Sequence, residues 1–211
     1  DFRHFPLPDL VLVPDVEWSP NDVLYTNCRT TIPGAPDHHL MFPAVWDTGN
    51  DTTRIVMASS YDGKIWQYAS REPVLETADP GKWDGGCIFA YPELLEMPNG
   101  DFALPYTGFN VPHKYPRGQA LRNIGYAIWP RGRLAGIEAS EIGEFSTSAI
   151  VPPGRKLLLN AVTRRSGHIL VEVCDAAEKP ITGREFSNSV PLNGDCFKAP
   201  VTWKGFDNLG A

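Results

Sequence analysis

Apolar residues in this chain recur at alternate positions over short runs, and turn-forming residues separate the runs. HLMFPAVW (His39 to Trp46) is one such run, and Asp47-Thr48-Gly49-Asn50-Asp51 follows it as a turn. TRIVMASS (Thr53 to Ser60) is rich in β-branched and apolar residues and reads as a second strand. Tyr61-Asp62-Gly63-Lys64 then predicts a two-residue hairpin turn, with IWQYAS as the returning strand. The scheme repeats further on. CIFAYPELLEM reads as a strand, Pro98-Asn99-Gly100-Asp101 as an Asn-Gly hairpin, DFALPYTGF as its partner and IGYAIWP as a third strand. Both units contain an aromatic-Pro step, Phe42-Pro43 in one and Tyr91-Pro92 in the other. Repetition at roughly fifty residues with three or four strands per unit predicts propeller-like blades.

Before these units, LVLV (Leu10 to Val13) and DVLYTNC (Asp22 to Cys28) read as short strands within a proline-rich lead-in. The pattern changes after Arg131. FSTSAIV, RKLLLNAVT, HILVEVCD, KPITGREF, NSVPLNGD and KAPVTWKG are short segments with a turn about every ten residues, the spacing of a β-sandwich. The predicted fold is therefore all-β: incomplete β-propeller blades over residues 1–143, then a C-terminal β-sandwich over 144–211, apparently truncated. Leu157, Leu159, Ile169, Val171, Val173, Val201 and Trp203 alternate along their strands and form the predicted sandwich core. No stretch sustains a helical period. With so few blades, open strand edges predict self-association or a segment of a longer polypeptide.

Composition narrows the chemistry. The chain has 211 residues, 42% hydrophobic and 21% charged, which is ordinary for a folded domain. Its 19 glycines, 20 prolines and six tryptophans suit short strands and shaped loops. A net charge of −6 argues against a nucleic-acid partner. No apolar run reaches membrane-spanning length, so no membrane partner is expected. No basic stretch followed by an apolar core opens the chain, and localisation stays open. Cys28, Cys87, Cys174 and Cys196 form no C-x-x-C pair and read as buried small hydrophobes. No metal or other cofactor is expected.

Several phrases, in order, resemble five-bladed propeller glycosidases of glycoside hydrolase families 32 and 43. SSYDGKIWQYASREPVLET is similar to their S-x-D-G-x-x-W…P-V-L phrase. KWDGGCIFAYPELLEMPNGDFALPYTGF is similar to a W-D-x-G…N-G-D…Y-T-G blade. RRSGHILVEVCDAAEKPITGREF, with LNGD and VTWKG after it, resembles the sandwich that follows the propeller there. The resemblance implies a carbohydrate partner and glycosidic-bond cleavage by paired carboxylates flanking an oxocarbenium-like transition state. Where those families place an acid before the proline, this chain has Phe42 and Tyr91. A non-catalytic carbohydrate-binding or assembly module on the same scaffold is the alternative. No G-x-S-x-G elbow points to an esterase.

The candidate carboxylates are Asp84, beside Trp83 and two glycines, and Glu93, at the start of an apolar strand. Asp84 equally suits an Asx turn, and Glu93 a polar sheet face. Asp62 and Asp101 are explained by their turns, and Glu96 should be solvated. His39 and His113 are candidate sugar contacts. His38 and His39, adjacent in a strand, point to opposite faces. Trp46, Trp83, Tyr106 and Tyr115 offer ring faces to a pyranose. Trp66 and Tyr106 equally suit packing between sheets.

Overall fold

A computed structural model describes residues 3, 4 and 7–210. Thirteen strands and two single 3-10 turns make up the regular structure, with no α-helix among the described residues. The all-β class is thus observed. The chain divides into two compact units between Ala135 and Gly136, where the sequence pattern had placed a boundary near Gly143.

In the first unit, β1 (Asp22–Thr26) and β2 (Arg29–Ile32) run along β4 (Ala44–Asp47) and β3 (Ala35–Met41) respectively. β5 (Thr53–Ile55) pairs with β4, and β6 (Ala58–Ser60) with β3. The pairs His39↔Ser60, Met41↔Ala58, Ala44↔Ile55 and Trp46↔Thr53 keep one register across the interruption at Phe42-Pro43. Pro43 has no N–H to give the ladder, but its carbonyl still accepts from Val56 N–H at 3.0 Å. β7 (Gln67–Tyr68) closes this four-stranded antiparallel meander against β6.

The second meander holds β8 (Cys87–Ala90), β9 (Leu95–Glu96), β10 (Phe102–Phe109) and β11 (Arg122–Trp129), with β10 at its centre. The sequence predicts one continuous strand from Cys87 to Met97. The structure breaks it at Tyr91-Pro92 into β8 and β9, both paired with β10. The reason lies in two prolines. Pro105 in β10 has no N–H, and its carbonyl accepts from Tyr91 N–H at 2.9 Å. Its missing donor points the same way, to the side where Pro92 has already interrupted the ladder. The Asn-Gly hairpin forms as predicted, with Gly100 at φ 86° and Met97 N–H donating to the Asp101 carbonyl at 2.8 Å.

The two meanders share one core. Leu40, Phe42, Ala44, Ile55 and Met57 from the first pack with Ile88, Ala90, Leu94, Leu104 and Tyr106 from the second. Thr53 stitches them together: its buried hydroxyl donates to the Ile88 carbonyl at 2.6 Å and accepts from Ile88 N–H at 2.7 Å. Trp66 is buried in a smaller cluster with Met41 and Ala58, against Leu12 and Tyr68.

Three predicted elements change. LVLV forms no strand, because Pro8 and Pro14 flank it and remove ladder donors. It lies as a strap on β7, where Leu12 packs on the smaller cluster and Tyr68 Oη donates to the Val13 carbonyl at 2.6 Å. Arg71 holds the strap through Asp15 and Glu17. The Asp62-Gly63 turn is a loop longer than two residues. Asp62 Oδ1 accepts from Ser60 Oγ and from the N–H groups of Lys64 and Ile65, at 2.8–3.0 Å. Trp66 Nε1 closes the loop on the Gly63 carbonyl at 3.1 Å. In the second unit, FSTSAIV forms no strand and is exposed throughout.

That second unit contains a two-stranded sheet, β12 (Leu158–Val162) with β13 (Asp195–Pro200). Isolated bridges at Ile169↔Leu192, Cys174↔Pro180 and Ser189↔Trp203 take the place of longer predicted strands. Val201 and Trp203 are buried, and Leu157, Leu159, Ile169, Val171 and Val173 are half-buried, each beside more exposed neighbours or turns. Trp203 Nε1 donates to the Val171 carbonyl at 2.8 Å. Arg184 is buried, stacked over Phe206 at 3.8 Å and donating to Asn208. All four cysteines are free thiols. Cys87 is buried as predicted, but Cys174 is exposed, because the short bridges of this unit leave its edge uncovered.

Candidate functional site

Trp83 and Asp84 sit on the segment leading into β8, and glycines fix where they lie. A Cβ on Gly86 would meet the Val111 backbone at 2.0 Å, so that segment lies flush against the loop after β10. Gly108 and Gly125 form a floor under the indole. A Cβ at either would stand 2.5 or 2.7 Å from the Trp83 ring. Between them Tyr106, paired with Gly125, stacks on Trp83 at 5.5 Å with ring planes 26° apart. Trp83 remains 38% exposed, which leaves indole surface available to a ligand.

Asp84 is buried beneath this pair, and its Oδ2 accepts the Tyr106 hydroxyl at 2.8 Å. Burial, with the Asp84 carboxylate alongside, pushes the Tyr106 phenol up to about 12. The phenol therefore stays protonated at neutral pH and acts as a donor to Asp84. Tyr106 packs in the core and supports the platform from below, so the stacking surface belongs to Trp83.

Glu93 lies exposed in the break between β8 and β9, next to buried Leu94. Its side chain takes the polar side of that kink, and Glu96 is exposed as expected. His39 is half-buried in β3, with Nδ1 3.3 Å from an Arg29 guanidinium nitrogen. It borders a cavity of about 90 Å³ with Ser59, Ser60 and Tyr61. His38 borders the same cavity, its ring edge-on to Tyr61 at 5.3 Å.

His113 belongs to a different group. Its N–H donates to the Asp51 carbonyl at 2.8 Å, and its ring meets Tyr25 at 4.9 Å, Phe89 at 5.3 Å and Trp46 at 5.8 Å. Burial, then the Lys114 charge, hold its imidazole below the ordinary value, against the opposing influence of Asp51. Tyr25 and Phe89 did not stand out in the sequence, since each is one aromatic in an ordinary strand. Phe89 pairs with Thr107 and Tyr106 with Ala90, so neighbouring positions place Phe89 and Tyr106 on opposite faces of the second meander. The six predicted residues thus fall into separate places: Trp83, Asp84 and Tyr106 together, His113 with other aromatics, and Glu93 and His39 each elsewhere.

An open groove of about 530 Å³ is lined by Leu12, Leu24, Tyr25, Asn27, Met41 and Pro92 among others. Neither candidate carboxylate lines it. The Trp83 platform, unlike the groove, joins ring surface with a candidate carboxylate. Among the described residues no cluster of three His, Cys, Asp or Glu side chains could hold a metal ion. No helix among them is long and apolar enough to cross a membrane. No protein-family model, curated protein or solved structure matches this chain.

Proposed function

We propose that this chain engages a glycan as part of a glycoside hydrolase-type scaffold. The two antiparallel meanders are then adjacent propeller blades, and the second unit a β-sandwich. A core shared by alternate positions of both meanders supports the blade reading. The observation that carries the carbohydrate reading is the Trp83 platform: a partly exposed indole, braced on Tyr106, with a carboxylate buried beneath it. A pyranose presents an apolar face and a ring of hydroxyls, which is the complement of that arrangement. In this reading Asp84 accepts sugar hydroxyls or acts on the anomeric centre, with Glu93 as the second carboxylate.

The non-catalytic alternative has its own observation. A proton donor to a leaving group needs burial or a nearby like charge to hold its proton, and Glu93 is exposed. Calorimetry with a panel of neutral and acidic oligosaccharides, coupled to product analysis, separates the two readings. Binding with turnover that Asp84→Asn abolishes supports the hydrolase. Binding without turnover supports the module, and absence of binding across the panel removes both. Ile124, Tyr126 and Ile128 are exposed at alternate positions of β11. Self-association through the open blades would bury them, and light scattering reads that directly.

A further inference from the structure

From Phe102 to Ile137 the chain carries five basic residues and no Asp or Glu, although its net charge is −6. The basic stretch includes the loop between β10 and β11, which the structure holds in a fixed shape. Asn110 closes it at the base: its Oδ1 accepts from Leu121 N–H at 2.7 Å, and its own N–H donates to the Leu121 carbonyl. His113 N–H anchors the middle to Asp51. Lys114 and Arg117 are exposed on this loop, and neither forms an ion pair among the described residues. The Lys114 ammonium stands 4.8 Å over the Trp46 ring. Asp51, the acid to which His113 is anchored, accepts the Trp46 indole N–H at 3.2 Å. Tyr25, 48% exposed, joins this rim to the groove of about 530 Å³.

A cation held over an aromatic ring, with a second cation on the same loop whose charge also reaches His113, suits a ligand that has both a ring face and a negative charge. We infer that Tyr25, Trp46, His113, Lys114 and Arg117 form a subsite for an acidic sugar, one bearing a carboxylate or a sulfate. This inference rests on the carbohydrate reading above and names its substrate class. A nucleic-acid strand fits less well. Its affinity comes from many phosphate contacts, whereas this rim offers two loop cations on a chain of net negative charge.

The test is titration calorimetry at low salt with four probes: tetragalacturonate, a sulfated chondroitin tetrasaccharide, neutral cellotetraose and an oligouridylate. Acidic oligosaccharides should bind about tenfold more tightly than the neutral one, and the advantage should shrink as salt is added. The tighter of the two acidic probes identifies the anion. The Lys114→Gln/Arg117→Gln double variant should bring acidic binding down to the neutral level and leave neutral binding unchanged. Its melting temperature checks that the exposed loop still folds. Equal binding of acidic and neutral sugars, unaffected by the double variant, would overturn the subsite and leave the carbohydrate reading standing. Binding of no oligosaccharide would overturn both. Tighter binding of the oligouridylate would overturn the subsite in favour of a nucleic-acid surface.

Discussion

Thr53 allows the packing of the two meanders to be tested with one side chain. It is 3% exposed, and its hydroxyl serves both the N–H and the carbonyl of Ile88, itself fully buried. Those two backbone groups point away from β10, toward Thr53. Thr53→Val keeps the shape and removes the hydroxyl, leaving a donor and an acceptor without partners in a dry core. Each such group costs about 1–3 kcal/mol, so the pair costs about 2–6 kcal/mol. Thr53→Ser keeps the hydroxyl and loses one methyl, at about 1 kcal/mol. Urea unfolding followed by tryptophan fluorescence should therefore rank the proteins wild type, Ser, then Val. For a chain of this size each kcal/mol corresponds to roughly 2–4 °C, so the Val variant should melt at least about 4 °C lower. A Val variant as stable as the Ser variant would refute the claim that Thr53 satisfies Ile88, and with it the argument for how β5 meets β8.

Three further outcomes are expected. Asp62 has a folded value of about 2, below its ordinary 3.8, chiefly through the Ile65 and Lys64 N–H groups and Ser60. Its contribution is present above about pH 4 and is lost as pH falls through 2; carboxyl NMR titration should place its midpoint near 2, and a midpoint near 4 would show that the loop does not hold it. Gly108→Ala puts a methyl where the Trp83 ring and Asp84 Cβ lie, both at 2.5 Å. It should cost about 1–3 kcal/mol and weaken every oligosaccharide that binds the platform, and unchanged affinity would detach Trp83 from binding. Trp203→Ala removes a side chain 2% exposed together with its bond to Val171. It should cost about 3–5 kcal/mol and leave the β1–β11 unit folded, which limited proteolysis checks.

Much of this protein is local and was therefore legible in its sequence. Alternation marked the strands, because a half-buried sheet requires it. Asn99-Gly100 marked a hairpin, because a residue at positive φ favours glycine there. Of the residues assigned by the same periodicity to one buried side of the second unit, Val201 and Trp203 are buried, whereas Leu159 and Val171 are half-buried. Turn carboxylates such as Asp62 could be set aside from chemistry because residues within three positions satisfy them.

What depends on pairing between distant segments was decided only by the tertiary structure. The break at Tyr91-Pro92 needs Pro105 opposite it, and neither proline alone specifies it. Asp84 is buried only because Tyr106 and the glycines of β10 and β11 lie over one another in that register. Glu93 had the same local appearance as a pocket residue, yet the kink leaves it exposed. Tyr25, Trp46, Phe89 and His113 meet from four separate stretches. The sequence determined which residues are able to carry chemistry. Strand register and the packing of one meander on another decided which of them share a surface, because a side chain's neighbours across a sheet are set by hydrogen bonds between residues far apart in the chain.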